Sequence, residues 1–279
     1  MQIVHLDEIE WFKYSGHREP GIDFKRLLQG EDMSPNNFEF ILGRVQSRYT
    51  TPRHRHNFDQ VRFVLDGSFG FDKNKVQKAG SVGYFPEGCF YEQDANGASD
   101  TLVLQAAGGS AAPYMSYEQL RKVARELAQQ GEFKNGIYSV QRDGKSINQD
   151  GFEAVWEHAF GRELKYPRPR YDQPIVMHPE NFEYVPVEGE PGVAAKRLGR
   201  FGERELEIGF LRLEPGATHR FSGARDGAHV YYVLSGDGRI GGKVWSKGSA
   251  IHLLDADAAD FEAGSDSEIY YLRLPTAVS

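Results

Sequence analysis

The chain has 279 residues, with 40 Asp plus Glu against 33 Lys plus Arg and a formal charge of −7, a balance that speaks against nucleic-acid binding, which needs a basic face. An apolar fraction of 39% with 13% aromatic residues suffices for a buried core and excludes wholesale disorder. The single Cys89 excludes an intrachain disulfide and a Cys-rich zinc site, and the absence of an 18-residue apolar run or a leader-like start points to a cytoplasmic protein with no membrane or nucleic-acid partner.

The first part of the chain reads as short β segments, at 37–45, 60–65, 81–85 and 101–105, separated by Gly, Pro, Asn and Asp. Many short strands between turn signals suggest a sandwich or barrel. The middle changes period. Over 116–130, Leu120, Val123, Ala124, Leu127 and Ala128 make one helical face. Ser116 and Gln119 fit a capping box, and Gly131 ends the helix. A second helix is expected over 151–160, capped by Asp150 and striped by Phe152, Val155, Trp156 and Ala159. Three prolines within 166–174 predict an extended connector. Strands resume at 182–185, 205–213, 229–234 and 268–274. The expected division is a first barrel over 1–113, a helical segment and connector over 114–170, and a second barrel over 171–279.

The two β-rich parts read as copies. Residues 61–67, VRFVLDG, match 230–236, VYYVLSG, and the next landmark glycine follows at Gly80 and Gly248. In the first copy His54 and His56 alternate, so on a strand both imidazoles project to one side, a ready pair of metal ligands. Downstream, Gly80, Pro86 and Gly88 precede Tyr91. In order and spacing His54, His56, Gly67, Gly80, Pro86 and Gly88 resemble the two motifs of the cupin superfamily. Gln60 stands where that pattern has Glu, and Tyr91 where it has a third His. The resemblance covers roughly 38–107 and 182–274 and implies an all-β bicupin, two jelly-roll barrels with a short helical segment between them. The second copy is degenerate: His219 and His229 alone make a poor metal site, and a barrel kept for packing or dimerisation is the plainer reading.

For the first copy the resemblance implies a divalent first-row metal, iron ahead of manganese, nickel, zinc or cobalt, on His54, His56, Gln60 and Tyr91. Tyr91 is alternatively a catalytic acid or base. The plainer reading is a metal-free barrel whose histidines line a ligand pocket. Alternation from Gln60 sends Arg62 inward, where an unpaired cation is costly. Arg62 therefore grips a substrate carboxylate, pairs with an internal carboxylate, or turns outward at a bulge. Cys89 reads as a small buried hydrophobe, His158 as solvated, and Arg53 and Arg55 as outward-facing. No phosphate-cradling loop and no G-x-S-x-G elbow occurs. Two functions follow. One is a metal-dependent enzyme of dioxygenase or isomerase type acting on a small organic molecule, anionic and carboxylate-bearing or else aromatic or enolisable, with Tyr91 and Arg62 catalytic and a homodimer the assembly considered. The other is a non-catalytic small-molecule-binding or storage bicupin without metal.

Overall fold

Alternation gives each long strand two faces, and here both faces are buried. In strand Phe38–Val45, Phe38, Phe40 and Leu42 face one way and Glu39, Ile41 and Val45 the other. In strand Asp59–Asp72, Val61 and Phe63 oppose Gln60, Arg62 and Val64. The computed structural model, which describes residues 1–13 and 21–277 apart from the side chains of residues 225 and 226, shows where the two sets go. Glu39, Gln60 and Arg62 face the interior of a first barrel. Phe40, Leu42, Val61 and Phe63 join Phe210, Tyr232 and Tyr270 in an apolar layer between that barrel and a second one. The Phe63 ring lies 5.5 Å from Phe210 and 4.9 Å from Tyr270, within the range of favourable aromatic pairs.

Both barrels are antiparallel jelly rolls. The main sheet of the first runs Ile175–Met177, Val82–Phe85, Asp59–Asp72, Ser99–Ala106, Phe38–Val45, Ile22–Gln29, Phe12–Lys13. Strands Tyr49–His54, Tyr91–Ala95 and Lys75–Lys78 complete it through the long Asp59–Asp72 strand. The main sheet of the second runs Gln2–His5, Ser249–Leu253, His229–Ser235, Ser267–Arg273, Leu206–Leu213, Val193–Phe201, Val185–Pro186, faced by a four-stranded sheet. Chain order and barrel membership differ at two places. Gln2–His5 pairs with Ser249–Leu253 in the second barrel, and Ile175–Met177 pairs with Val82–Phe85 in the first.

The duplication read from VRFVLDG and VYYVLSG extends to hydrogen bonding. The Gly80 N–H donates to Val64 O at 2.8 Å and the Gly248 N–H to Val233 O at 2.9 Å. Likewise Ala79 donates to Gly67 O and Lys247 to Gly236 O, both at 3.0 Å. The same turn thus closes the same hairpin in each copy.

The first helix spans Tyr117–Leu127, with the Ser116 hydroxyl accepting from the Gln119 N–H at 3.3 Å. The second spans Gly151–Phe160, with Asp150 Oδ1 accepting from the Phe152 and Glu153 N–H groups at 2.9 and 3.1 Å. Between them lies a three-stranded meander, Gly131–Lys134, Ile137–Arg142 and Lys145–Asp150, absent from the sequence reading. Its strands are largely exposed and carry no alternating apolar face. Its signal is in the turns: Asn135-Gly136 and Asp143-Gly144 all have positive φ, the requirement of a tight type I′ hairpin.

The proline-rich stretch is anchored. Arg170 Nη2 donates to Glu87 Oε1 at 2.8 Å and Nε to Glu203 Oε2 at 2.7 Å, so connector and both barrels share one charge cluster. Arg204 adds bonds to the carbonyls of Thr276 at 2.7 Å and of Pro35 and Ala107 at 3.1 Å. Among the described residues no helix is long and apolar enough to cross a membrane.

Candidate active site

Pro52 cannot donate to a β ladder, and the pairing of Tyr49–His54 with Tyr91–Ala95 slips between Thr51 and His54. That slip sets His54 opposite Tyr91. His54 Nδ1 lies 2.7 Å from the Pro52 carbonyl. The carbonyl can only accept, so Nδ1 carries the proton and Nε2 the lone pair. His56, two residues on, puts Nδ1 3.0 Å from the Tyr91 hydroxyl, which lies 3.4 Å from Gln60 Oε1. The His54 ring centroid is 5.0 Å from that of His56 and 4.5 Å from that of Tyr91. Among the described contacts, His56 Nδ1–H donating to Tyr91 and Tyr91 O–H donating to Gln60 satisfies both bonds of the phenol. His56 Nε2 then also carries a lone pair. The five residues singled out in the sequence, His54, His56, Gln60, Arg62 and Tyr91, form one cluster.

Arg62 points inward and is 3% exposed. Its Nε donates to Gln60 Oε1 at 2.6 Å. The guanidinium lies over the rings of Phe85, Tyr91 and Phe69, at 4.4, 4.9 and 5.2 Å. Among the described residues no carboxylate pairs with it, and its buried Nη1 has no hydrogen-bond partner. Arg62 therefore does not turn outward at a bulge, and among the described residues it has no internal salt bridge. Burial pushes its pKa down, yet a guanidinium keeps its proton. The result is a buried positive charge with aromatic faces, the Tyr91 phenol and one amide around it.

Arg62, Gln60 and His56 line a cavity with empty space of about 890 Å³, mouth included. Its other walls are largely apolar, with Phe58, Phe69, Val103 and Phe152 prominent. Phe152 comes from the second helix and packs 6.1 Å from His56 and 6.3 Å from Phe58, so the inter-barrel segment closes one side of the site. Gln105 and Tyr114 also line it and were missed in the sequence. Gln105 sits at the end of an apolar run, and only strand register reveals that it faces Gln60.

The second barrel has a different interior. His219 Nδ1 lies 2.7 Å from Glu190 Oε2, and His229 Nδ1 donates to Gly227 O at 3.0 Å. Tyr231 occupies the position of Arg62, and buried Glu207 accepts from Tyr271 Oη at 2.8 Å and Arg200 Nε at 2.5 Å. Charged groups here are paired with one another, in contrast to Arg62.

Elsewhere, Cys89 is buried and its thiol is pushed up by that burial. His158 sits at the surface, 3.6 Å from Glu126. Arg53 is exposed, Arg55 half-buried, and both lie over the ring of Phe90. Among the described residues no three His, Cys, Asp or Glu side chains converge as a metal cage. Among the described residues the donor set of the first barrel is instead two imidazoles, a phenol and an amide. That set fits a first-row ion held by two nitrogens, with Gln60 Oε1 already engaged by Arg62.

No family profile matches the sequence, and no curated protein sequence does. Solved structures do resemble it. A candidate dioxygenase of Nostoc punctiforme superposes with a TM-score of 0.66 at 11% identity, over 100% of this chain and 84% of that one. A bacterial pirin of Escherichia coli in complex with nickel(II) gives 0.56 at 10%, over 99% of each chain. Oxalate decarboxylase of Bacillus subtilis, with Mn(II) centres, gives 0.56 at 10%, over 100% of this chain and 78% of that one. At such identity the likeness speaks for architecture, and with the paired hairpins above it establishes that this chain has the cupin fold in two tandem copies.

Proposed function

We propose that the first barrel is the active site of a metal-dependent cupin enzyme acting on a small organic anion, by chemistry of the dioxygenase or isomerase type. The observation that carries this reading is Arg62, a buried guanidinium without a carboxylate partner among the described residues, set beside two imidazoles. An isolated buried charge is unfavourable unless something pairs with it. A substrate carboxylate would supply the pair through charge-assisted, forked hydrogen bonds. His54 and His56 would hold the metal, with Tyr91 beside them; the ion would supply Lewis acidity next to the bound anion. Tyr91 Oη holds a proton between His56 and Gln60 and is the group placed to pass it on. The aromatic walls exclude water and strengthen each polar contact inside. The nickel(II) complex of the pirin and the Mn(II) centres of oxalate decarboxylase support a divalent first-row metal.

One contact favours a second reading, a metal-free binding protein. Gln60 Oε1 accepts from Arg62 at 2.6 Å, which draws off a metal donor and sets a cation beside the ion's place. Elemental analysis of purified protein separates the two readings. The enzyme reading expects one first-row ion per chain, lost in the His54→Ala/His56→Ala variant and retained in His219→Ala. Metal-free wild type, or full metal content in the double variant, would overturn it.

A further inference from the structure

A row of polar groups crosses the interior of the first barrel. Gln105 pairs in register with Gln60 on one side and Glu39 on the other, so all three project inward. Glu39 is fully buried. Its Oε1 accepts from Arg26 Nε at 2.8 Å, and its Oε2 from the Tyr117 N–H at 3.1 Å. The Tyr114 hydroxyl lies 2.9 Å from Glu39 Oε2 and 2.6 Å from Gln105 Oε1. A phenol has one proton and cannot donate to both.

Two proton placements fit these contacts: an ionised Glu39 accepting from Tyr114, or a neutral Glu39 donating to Tyr114 while Tyr114 donates to Gln105. Burial pushes the Glu39 carboxyl up on balance, opposed first by the Arg26 charge and then by the hydrogen bonds of the Tyr117 N–H and Tyr114. With a permanent guanidinium at hydrogen-bond distance, Glu39 is the carboxylate, and Tyr114 donates to it. Tyr114 then offers Gln105 only an acceptor. Two oxygens cannot share that contact, so Gln105 turns its amide nitrogen to Tyr114, an orientation the network decides. The carbonyl oxygen of Gln105 is left facing the cavity that Gln105 lines.

We infer that Gln105 is a specificity-determining residue, and that the ligand of the first barrel carries a hydrogen-bond donor, such as a hydroxyl, near its anionic group. The inference rests on the anion-holding reading of Arg62. Arg62 pairs with Val103, two residues before Gln105, so Arg62 and Gln105 are diagonal neighbours on one face, with Cα atoms roughly 7–8 Å apart. Both side chains are long, and one small molecule reaches both. A hydroxy acid satisfies Arg62 with its carboxylate and Gln105 with its hydroxyl. An oxo acid of the same skeleton would set oxygen against oxygen and leave a buried acceptor unmade. Tyr114 acts through Gln105 and is a positioning residue.

Calorimetric titration with 2-hydroxy acids and 2-oxo acids of matched skeleton, on wild type, Gln105→Met and Tyr114→Phe, tests this. Wild type is expected to bind the hydroxy acid at least about tenfold more tightly, the scale of one buried hydrogen bond. Gln105→Met is expected to lose the preference and keep its affinity for the carboxylate. Tyr114→Phe frees the amide to turn over and is expected to shrink the preference. Should Gln105→Met fail to fold, the wild-type ratio and Tyr114→Phe decide. A purely structural Tyr114 would lower the melting temperature and leave the ratio unmoved, which would overturn its positioning role. Equal binding of both series to wild type, a preference for the oxo acid, or a ratio unchanged in Gln105→Met would overturn the assignment of Gln105. In those cases Arg62-dependent binding of the acids would survive. Binding of neither series to wild type would overturn the anion-holding reading and this inference together.

Discussion

Replacing Arg62 by Met separates a ligand-holding arginine from a structural one. The side chains are similar in volume, so most of the barrel interior stays filled. What is removed is a buried charge, its 2.6 Å bond to Gln60 and its contacts with three rings. The lost hydrogen bond to a charged group is worth about 1.5–3 kcal/mol, and each ring contact about 0.5–2 kcal/mol. Against this, exchanging buried ionic groups for well-packed apolar ones is often neutral or stabilising by about 1–4 kcal/mol. Among the described residues Arg62 has no carboxylate that the exchange would strand. The losses are at least as large as the gain, so Arg62→Met should melt below wild type while remaining folded. Affinity should respond differently. Loss of a charge-assisted contact to a carboxylate is worth about 1.5–3 kcal/mol, roughly ten- to a hundred-fold. Arg62→Lys should fall between, because an ammonium lacks the planar fork. The assay is a thermal-shift screen of small carboxylic acids on wild type and both variants. A strongly destabilised Arg62→Met that responds to the same acids as wild type would refute the reasoning and make Arg62 structural.

Three further outcomes are expected. Asp59 is pushed up to about 6, chiefly by burial and then by the Glu87 charge, against the Glu87 N–H and Arg170. Its contribution to stability is full below about pH 4, where the unfolded carboxyl is also protonated, and is lost as pH rises through about 6. Relative to wild type, Asp59→Asn should therefore gain melting temperature as pH rises across that window, and a constant difference would contradict the shift. Phe63→Ala empties the layer between the barrels and should cost about 3–5 kcal/mol in denaturant unfolding. Ile147→Ser, on an exposed meander strand, should stay within about 0.5 kcal/mol; similar losses at both sites would show that the inter-barrel layer is not the principal core. Cys89, buried with a raised thiol pKa, should react with a thiol reagent only after unfolding, and rapid labelling of native protein would contradict its placement.

The strand-and-glycine framework is legible in the sequence because the two copies repeat a hairpin whose turn geometry demands particular residues in particular places. Val61–Gly67 and Val230–Gly236 carry that constraint on their face. The inward aim of Arg62 is legible for the same reason, since strand period is fixed at two. Its lack of a carboxylate is not, because partners come from other strands and depend on register. Gln105 and Glu39 fall in runs such as Leu102–Ala106 and Phe38–Leu42 that read simply as apolar strand. Only the pairing of three strands brings them beside Gln60. The meander over Gly131–Asp150 escapes an apolar-period search because its strands bury little, although its Asn-Gly and Asp-Gly turns mark it. The exchanged strands Gln2–His5 and Ile175–Met177 are too short to declare which barrel they join. His54 and His56 are prominent in the sequence, yet the hydrogen bonds that orient them run to Pro52 O and Tyr91, partners that no ligand motif names.

At the centre of the proposed function is an organic anion bound inside the first barrel at Arg62. A crystal structure of the wild type grown with the acid that gives the largest thermal shift tests it most directly. The expected result is the carboxylate forked onto the Arg62 guanidinium, with Gln60 and Gln105 at its flanks. An acid seated among His219, His229 and Tyr271 of the second barrel, with the Arg62–Gln60 bond unchanged, would contradict it.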